Sequence, residues 1–305
     1  MLKVAVEPEC WRRQSLVQAV EVGGGEVVRP DVAEGLVWAE PARADLLPPM
    51  LDTNPNIEWV QLPYAGIEAF LEMFRSRPHL TWTCGKGVYA APVAEHALML
   101  ALAGFRGLAT YGRAESWSEP EGQNLIGANV TILGGGGITE ELLPLLSPFR
   151  CQVTVVRNQE LPMEGAKEVV GSEHLHDVLP NTDLLVLALA LTPETSGIIA
   201  EKELALLPRH AWIINVARGG HIITSDLVKA LQTDVIGGAA LDVTDPEPLP
   251  DDHPLWSLQN CIITPHIGNT PEMGLPLLAE RVSANVRRYI DGLPLLGPVD
   301  ITLGY

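Results

Sequence analysis

Residues 129–139 read Asn-Val-Thr-Ile-Leu-Gly-Gly-Gly-Gly-Ile-Thr, and this stretch decides the fold. Asn129–Leu133 is an apolar, β-branched run that predicts a strand, and Thr139–Leu146 predicts a helix. Between them, G-x-G-x-x-T spacing suits a phosphate cradle. Gly134 permits a tight turn and Gly136 lets a pyrophosphate approach the backbone. Gly137 and Ile138 lead into a helix whose N–H groups and positive dipole end face the anion. Thr139 stands where the third glycine of the dinucleotide pattern belongs. A flexible turn is the alternative, and Gly23-Gly24-Gly25, which runs into strand-like Glu26-Val27-Val28, reads that way. The strand–turn–helix setting favours a nucleotide at the second glycine run.

About twenty residues further on, an acidic side chain would bond the ribose 2′-hydroxyl of NAD. Here the strand Gln152–Val156 runs into Arg157-Asn158. A guanidinium suits a 2′-phosphate, so NADP(H) is the expected cofactor, with NAD(H) open. The plainer reading of Arg157 is a surface cation at a strand end.

The same alternation extends in both directions. Upstream, Lys3–Glu7, Val27–Arg29, Gly35–Ala39, Ile57–Leu62 and Leu80–Cys84 read as strands, with helices at Trp11–Val20 and Pro92–Thr110. After the polar stretch 115–124 come the strands Asn129–Leu133, Gln152–Val156, Asp183–Leu191, Ala211–Asn215, Ile236–Leu241 and Cys261–Thr264, then a final helix, Pro271–Ile290. Such βα series predict an α/β protein with two doubly wound parallel-sheet, Rossmann-like domains. The length of 305 residues agrees with about two domains.

Composition narrows the function. The chain is 47% hydrophobic and 19% charged, with 38 acidic against 20 basic residues and a net charge of −18. That charge repels phosphate backbones and anionic lipid, so neither nucleic acid nor a membrane surface is an expected partner. Cys10, Cys84, Cys151 and Cys261 form no C-x-x-C pair, which argues against a zinc ribbon or disulfide framework. His174 and His176 have ligand-like spacing but no further ligands in the sequence, so no metal is expected. Ala91–Ala109 is apolar but carries Glu95, His96 and Arg106, and reads as a buried helix. MLKVAVEPEC reaches Glu7 before any apolar core of a signal peptide forms, which predicts a cytoplasmic protein.

Three segments follow apolar strands: Asn215-Val216-Ala217-Arg218-Gly219-Gly220, then Ala240-Leu241-Asp242-Val243 through Glu247-Pro248-Leu249-Pro250, and Thr264-Pro265-His266-Ile267-Gly268. An arginine, a carboxylate and a histidine at strand ends can bind an anion and protonate a carbonyl oxygen. These segments, in this order and at these separations, resemble the D-isomer-specific 2-hydroxyacid dehydrogenase family. The resemblance takes in Leu191–Gly197 and Val93-Ala94-Glu95-His96, and covers roughly Pro55 to Ile290. Ala190 replaces a proline usual in that family. Within it, Trp59–Ile67 and the glycine run are similar to glyoxylate/hydroxypyruvate reductases.

The resemblance implies roles. Arg218 would bind the substrate's carboxylate and carbonyl, and His266 would be the general acid, hydrogen-bonded by Glu247. Backbone amides of Ala65 and Gly66 would hold the other side of the carboxylate. Gly134, Gly136, Gly137, Ile138, Arg157, Ala217 and Asp242 would line the cofactor, with Asp242 at its nicotinamide end. A substrate domain would comprise 1–97 plus 272–305 and a dinucleotide-binding domain 98–271, with Pro92–Thr110 and Pro271–Ile290 as the helices crossing between them and the whole a homodimer. The implied activity is reduction of a small 2-oxo acid such as glyoxylate or hydroxypyruvate to its D-2-hydroxy acid. The alternatives are an NAD-dependent D-2-hydroxyacid or phosphoglycerate dehydrogenase and a non-catalytic NAD(P)-sensing scaffold.

Overall fold

Successive residues of the strand Trp212–Asn215, Ile213 and Ile214, face two different cores, which is the signature of a sheet buried on both sides. The computed structural model describes residues 1–67 and 70–300. It divides into two units, Ala90–Asn269 and the pair Met1–Tyr89 with Thr270–Tyr305, of which 301–305 lie outside the described residues.

In the first unit, strands β1 (Lys3–Glu7), β2 (Glu26–Val27), β3 (Gly35–Trp38), β4 (Trp59–Gln61) and β5 (Thr81–Thr83) form a parallel sheet of order β2-β1-β3-β4-β5. Helices α1 (Arg13–Val22), α2 (Leu47–Thr53) and α3 (Leu71–Ser76) lie between the strands. Ala5, Leu36 and Trp38 pack into one face, while Val4, Val6 and Val37 pack into the other beside Leu16 and Val20 of α1.

The second unit opens with α4 (Ala90–Phe105) and the short α5 (Leu108–Tyr111). Strand β6 (Asn129–Leu133), helix α6 (Gly137–Leu146) and strands β7 (Gln152–Val156) and β8 (Glu168–Val170) follow. Then come α7 (Leu175–Val178), β9 (Leu184–Leu187), α8 (Glu201–Leu206), β10 (Trp212–Asn215), α9 (Thr224–Gln232), β11 (Gly238–Leu241) and β12 (Cys261–Ile263). All pair in parallel in the order β12-β11-β10-β9-β6-β7-β8. The winding reverses between β6 and β9, the point at which open α/β sheets bind ligands. Helix α10 (Pro271–Ile290) returns the chain to the first unit, where Leu278, Val282 and Val286 join Val4, Leu16 and Val20.

Two parallel-sheet α/β units therefore match the expected fold class, and the differences lie at the edges of elements. The helix expected over Pro92–Thr110 stops at Phe105 because Gly107 adopts a left-handed conformation (φ 64°). The strand expected over Asp183–Leu191 is only Leu184–Leu187, with Ala188 turning against the glycine loop. The boundary expected at 97/98 falls inside α4. That helix lies wholly in the second unit because Ala94, Ala97, Leu100, Ala101 and Phe105 share a core with Val130, Ile132 and Ile214.

Candidate active site

The glycine run forms the turn between β6 and α6. Gly134 has φ 105°, and a Cβ there would lie 2.3 Å from the Ala188 carbonyl oxygen, so both the conformation and the close approach require glycine. Thr139 is fully buried and its Oγ1 donates to the Gly134 carbonyl at 2.7 Å. The hydroxyl thus fastens the turn at the position where the usual pattern relies on a third glycine. Gly136 caps α6 without a side-chain hydrogen bond, and a Cβ on it would meet nothing within 4 Å. Gly137 begins the helix, and Ile138 packs against the core below. Open space over an uncapped helix N-terminus fits a cofactor pyrophosphate. At the end of β7, Arg157 folds over this loop: its Cδ, Nε and Cζ lie 2.6, 2.8 and 3.1 Å from the position of a Cβ on Gly135.

On the other side of the switch point, Asp242 follows β11 and is 3% exposed. Its Oδ1 accepts from Thr264 Oγ1 (2.6 Å) and the Ile267 amide (2.8 Å), and its Oδ2 accepts from the Gly268 amide (2.8 Å). His96 of α4 places Nε2 3.2 Å from Asp242 Oδ1 and 3.0 Å from Thr264 Oγ1. Thr264 gives its proton to the carboxylate, and the carboxylate only accepts, so Nε2 of His96 carries the hydrogen. Burial pushes the Asp242 carboxyl pKa up, but His96, Thr264 and the two amides outweigh burial and bring it down to about 2. The Asp242 carbonyl also accepts the His266 amide at 2.8 Å. One residue therefore grips the 264–268 loop from both its main chain and its side chain.

That loop carries His266, which has φ 54°, an uncommon conformation for a residue other than glycine. Its Nδ1 lies 2.6 Å from Glu247 Oε1, and both side chains are partly solvent-exposed. A carboxylate oxygen accepts, so Nδ1 is the donor of this pair and Nε2 takes no part in it. Arg218 follows β10, where Asn215 braces the turn: its Nδ2 donates to the Arg218 carbonyl (2.9 Å) and its Oδ1 accepts from the Ala217 amide (3.0 Å). The Arg218 guanidinium donates to the Ala217 carbonyl at 2.8 Å.

Gly134, Arg157, Arg218, Asp242, Glu247 and His266 all follow carboxyl ends of strands in one parallel sheet, so one sheet edge gathers them. Ala65 and Gly66 belong to the first unit, in the segment after β4. His96 belongs to the Val93–His96 segment that carries the family resemblance, but nothing in linear spacing links position 96 to 242 and 264. His174 and His176, read as lacking partners, pair with Asp177 (3.0 Å) and Glu203 (2.8 Å). Glu160, Glu173 and His174 cluster on the surface, all exposed. A cleft of about 510 Å³ lined by Phe105, Tyr111, Trp212 and Asn260 lies at the opposite, amino-terminal edge of the sheet.

Residues 96–268, which include every one of these strand-end groups, match the family described as D-isomer specific 2-hydroxyacid dehydrogenase, NAD binding domain. The chain belongs to this family. It is a nicotinamide-dependent D-2-hydroxyacid dehydrogenase or reductase. A glyoxylate/hydroxypyruvate reductase A from Serratia proteamaculans is 31% identical over 283 residues, 88% of this chain and 87% of that one. A D-isomer specific 2-hydroxyacid dehydrogenase from Xanthobacter autotrophicus, solved with NADPH and MES, superposes with a TM-score of 0.85 at 26% identity, covering 99% of each chain. An NADPH-dependent glyoxylate/hydroxypyruvate reductase from Sinorhizobium meliloti, solved with NADP and sulfate, gives a TM-score of 0.83 at 25% identity over 100% of each. Among the described residues of this family member, no helix is long and apolar enough to cross a membrane.

A carboxyl held below its unfolded value stabilises the fold above the unfolded pKa, and that stability is lost as pH falls through the folded one. Asp242 should therefore contribute about 2 kcal/mol that is present above about pH 4 and lost towards about pH 2. Urea unfolding across that window should show a shallower pH slope for Asp242→Asn than for the wild type, and equal slopes would refute the assignment. Thr139→Val should cost about 1 kcal/mol by the same measurement, since the Gly134 carbonyl loses its donor.

Proposed function

We propose that the protein uses NADPH to reduce a small 2-oxo acid, such as glyoxylate or hydroxypyruvate, to the D-2-hydroxy acid. The observation that carries this reading is the His266–Glu247 pair at 2.6 Å, on the same sheet edge as the Arg218 turn. Arg218 offers a rigid fork of donors to the substrate carboxylate and carbonyl oxygen. His266 gives its Nε2 proton to that oxygen as negative charge develops there, while Glu247 holds Nδ1–H and so fixes ring orientation. A nicotinamide held beside Ala217 and Asp242 would supply the hydride that the carbonyl carbon accepts. Ala65 and Gly66 are assigned to the substrate carboxylate, and Ala217 and Asp242 to the nicotinamide end, as the family resemblance implies. The same reading includes a cytoplasmic homodimer.

NADPH is favoured over NADH because a cation stands at the end of β7, where NAD recognition uses a carboxylate. The relatives solved with NADPH and NADP support this choice. The test is consumption of NADPH and NADH with glyoxylate, hydroxypyruvate and larger 2-oxo acids. Turnover of the small acids is the expected result. Cofactor binding without turnover of any of them would favour a non-catalytic sensor.

His266→Ala should lower kcat by about two to four orders of magnitude, the usual share of a general acid, with NADPH affinity held. Stopped-flow turnover and cofactor titration measure the two quantities separately. Arg157→Asp should reverse the cofactor preference: a charge-assisted bond contributes about 1.5–3 kcal/mol, or about ten- to a hundredfold in kcat/KM. A wild-type preference for NADH would overturn the role given to Arg157.

A further inference from the structure

His221 has no part in the chemistry above, yet it is fully buried three residues beyond Arg218. Its Nδ1 lies 2.9 Å from the Arg218 carbonyl oxygen and its Nε2 3.2 Å from the Ala190 carbonyl oxygen. Both oxygens only accept, and a neutral imidazole has a single N–H to give. Burial, helped by the Arg218 charge, holds the ring's pKa below its ordinary value against the pull of the two carbonyls. Burial thus favours the neutral ring, and the shorter contact favours a proton on Nδ1.

The two carbonyls belong to segments with different duties. Arg218 carries the guanidinium, and its carbonyl is also held by Asn215 Nδ2 (2.9 Å) and the His221 amide (3.3 Å). Ala190 lies two residues past Ala188, whose carbonyl abuts Gly134 in the glycine turn. The backbone joins the same two segments: the Gly197 amide donates to the Gly220 carbonyl (2.9 Å) and the Ile199 amide to the His221 carbonyl (3.0 Å). Thr195 Oγ1 donates to the Ala190 carbonyl at 2.7 Å, so each of the two oxygens keeps a donor without the imidazole.

We propose that His221 is a positioning residue for substrate binding: its Nδ1–H fixes the Arg218 carbonyl, and through it the direction in which the guanidinium meets the substrate anion. This rests on the reading of Arg218 as the substrate-anion site. Each carbonyl has other donors as well, so the choice of Arg218 over Ala190 rests on the shorter contact, 2.9 Å against 3.2 Å.

Three substitutions separate the two contacts. Asparagine places an amide donor near the position of Nδ1, glutamine places one near Nε2, and leucine supplies neither. His221→Leu and His221→Gln should each raise KM for the 2-oxo acid by about tenfold, the loss expected for one hydrogen bond, with kcat within about threefold and His221→Asn close to wild type. A purely structural role would reduce the yield of folded enzyme without this split between KM and kcat. If His221→Leu fails to fold, the contrast between asparagine and glutamine decides. Wild-type KM in the glutamine variant, or equal damage in the asparagine and glutamine variants, overturns the proposal. Ring ¹⁵N spectra at neutral pH, assigned by the loss of a signal in His221→Asn, should show Nδ1 protonated and Nε2 bare, and the opposite tautomer overturns it as well. Absence of turnover by the wild type sinks the reading of Arg218 itself, whereas wild-type turnover with unchanged variant KM values sinks only the role of His221.

Discussion

Removing a carboxylate from water costs several kcal/mol unless donors replace the lost solvent, and the donors around Asp242 come from distant parts of the chain. Thr264 and the amides of Ile267 and Gly268 belong to the loop after β12, and His96 belongs to α4. Satisfying one buried charge thus fixes the path of the loop that carries His266. The left-handed backbone of His266 is held in place by this grip, with the Asp242 carbonyl on its own amide and the carboxylate on the next two. Loss of any one donor would leave the charge undercompensated, so the loop has little freedom to relax.

The parallel sheet supplies the second constraint. Every strand of the second unit ends at the same edge, so residues far apart in sequence are gathered there without long connecting loops. The turns themselves are braced by local polar bonds: Asn215 spans the Arg218 turn, Thr139 spans the glycine turn, and Glu247 orients the imidazole. Each brace pairs a side chain with a backbone group or a ring nitrogen, which fixes direction as well as position.

Much of this was legible in the sequence because its signals are local. Apolar runs bounded by Gly and Pro marked the buried strands, and the glycine run marked the turn between β6 and α6. Arg218, Glu247 and His266 were found as members of three ordered segments, and the structure pairs the last two. What was not legible depended on contacts across the fold. Strand β8 is a short edge strand with exposed and half-buried positions, so it lacks an apolar run. Helices α2 and α3 are too short to show a period. The partnership of His96 with Asp242 spans 146 positions and leaves no trace in spacing. The end of α4 was missed because a lone glycine after an apolar run does not reveal its own backbone conformation.

Arg157 lying across Gly135 ties two positions together that a sequence reader would treat separately. A side chain at 135 would meet this flexible stem and push it off the loop, so the bare backbone at 135 sets where the Arg157 charge rests over the turn, rather than whether an arginine can stand at 157. Gly135 thus shapes the local electrostatics of the turn with no side chain of its own.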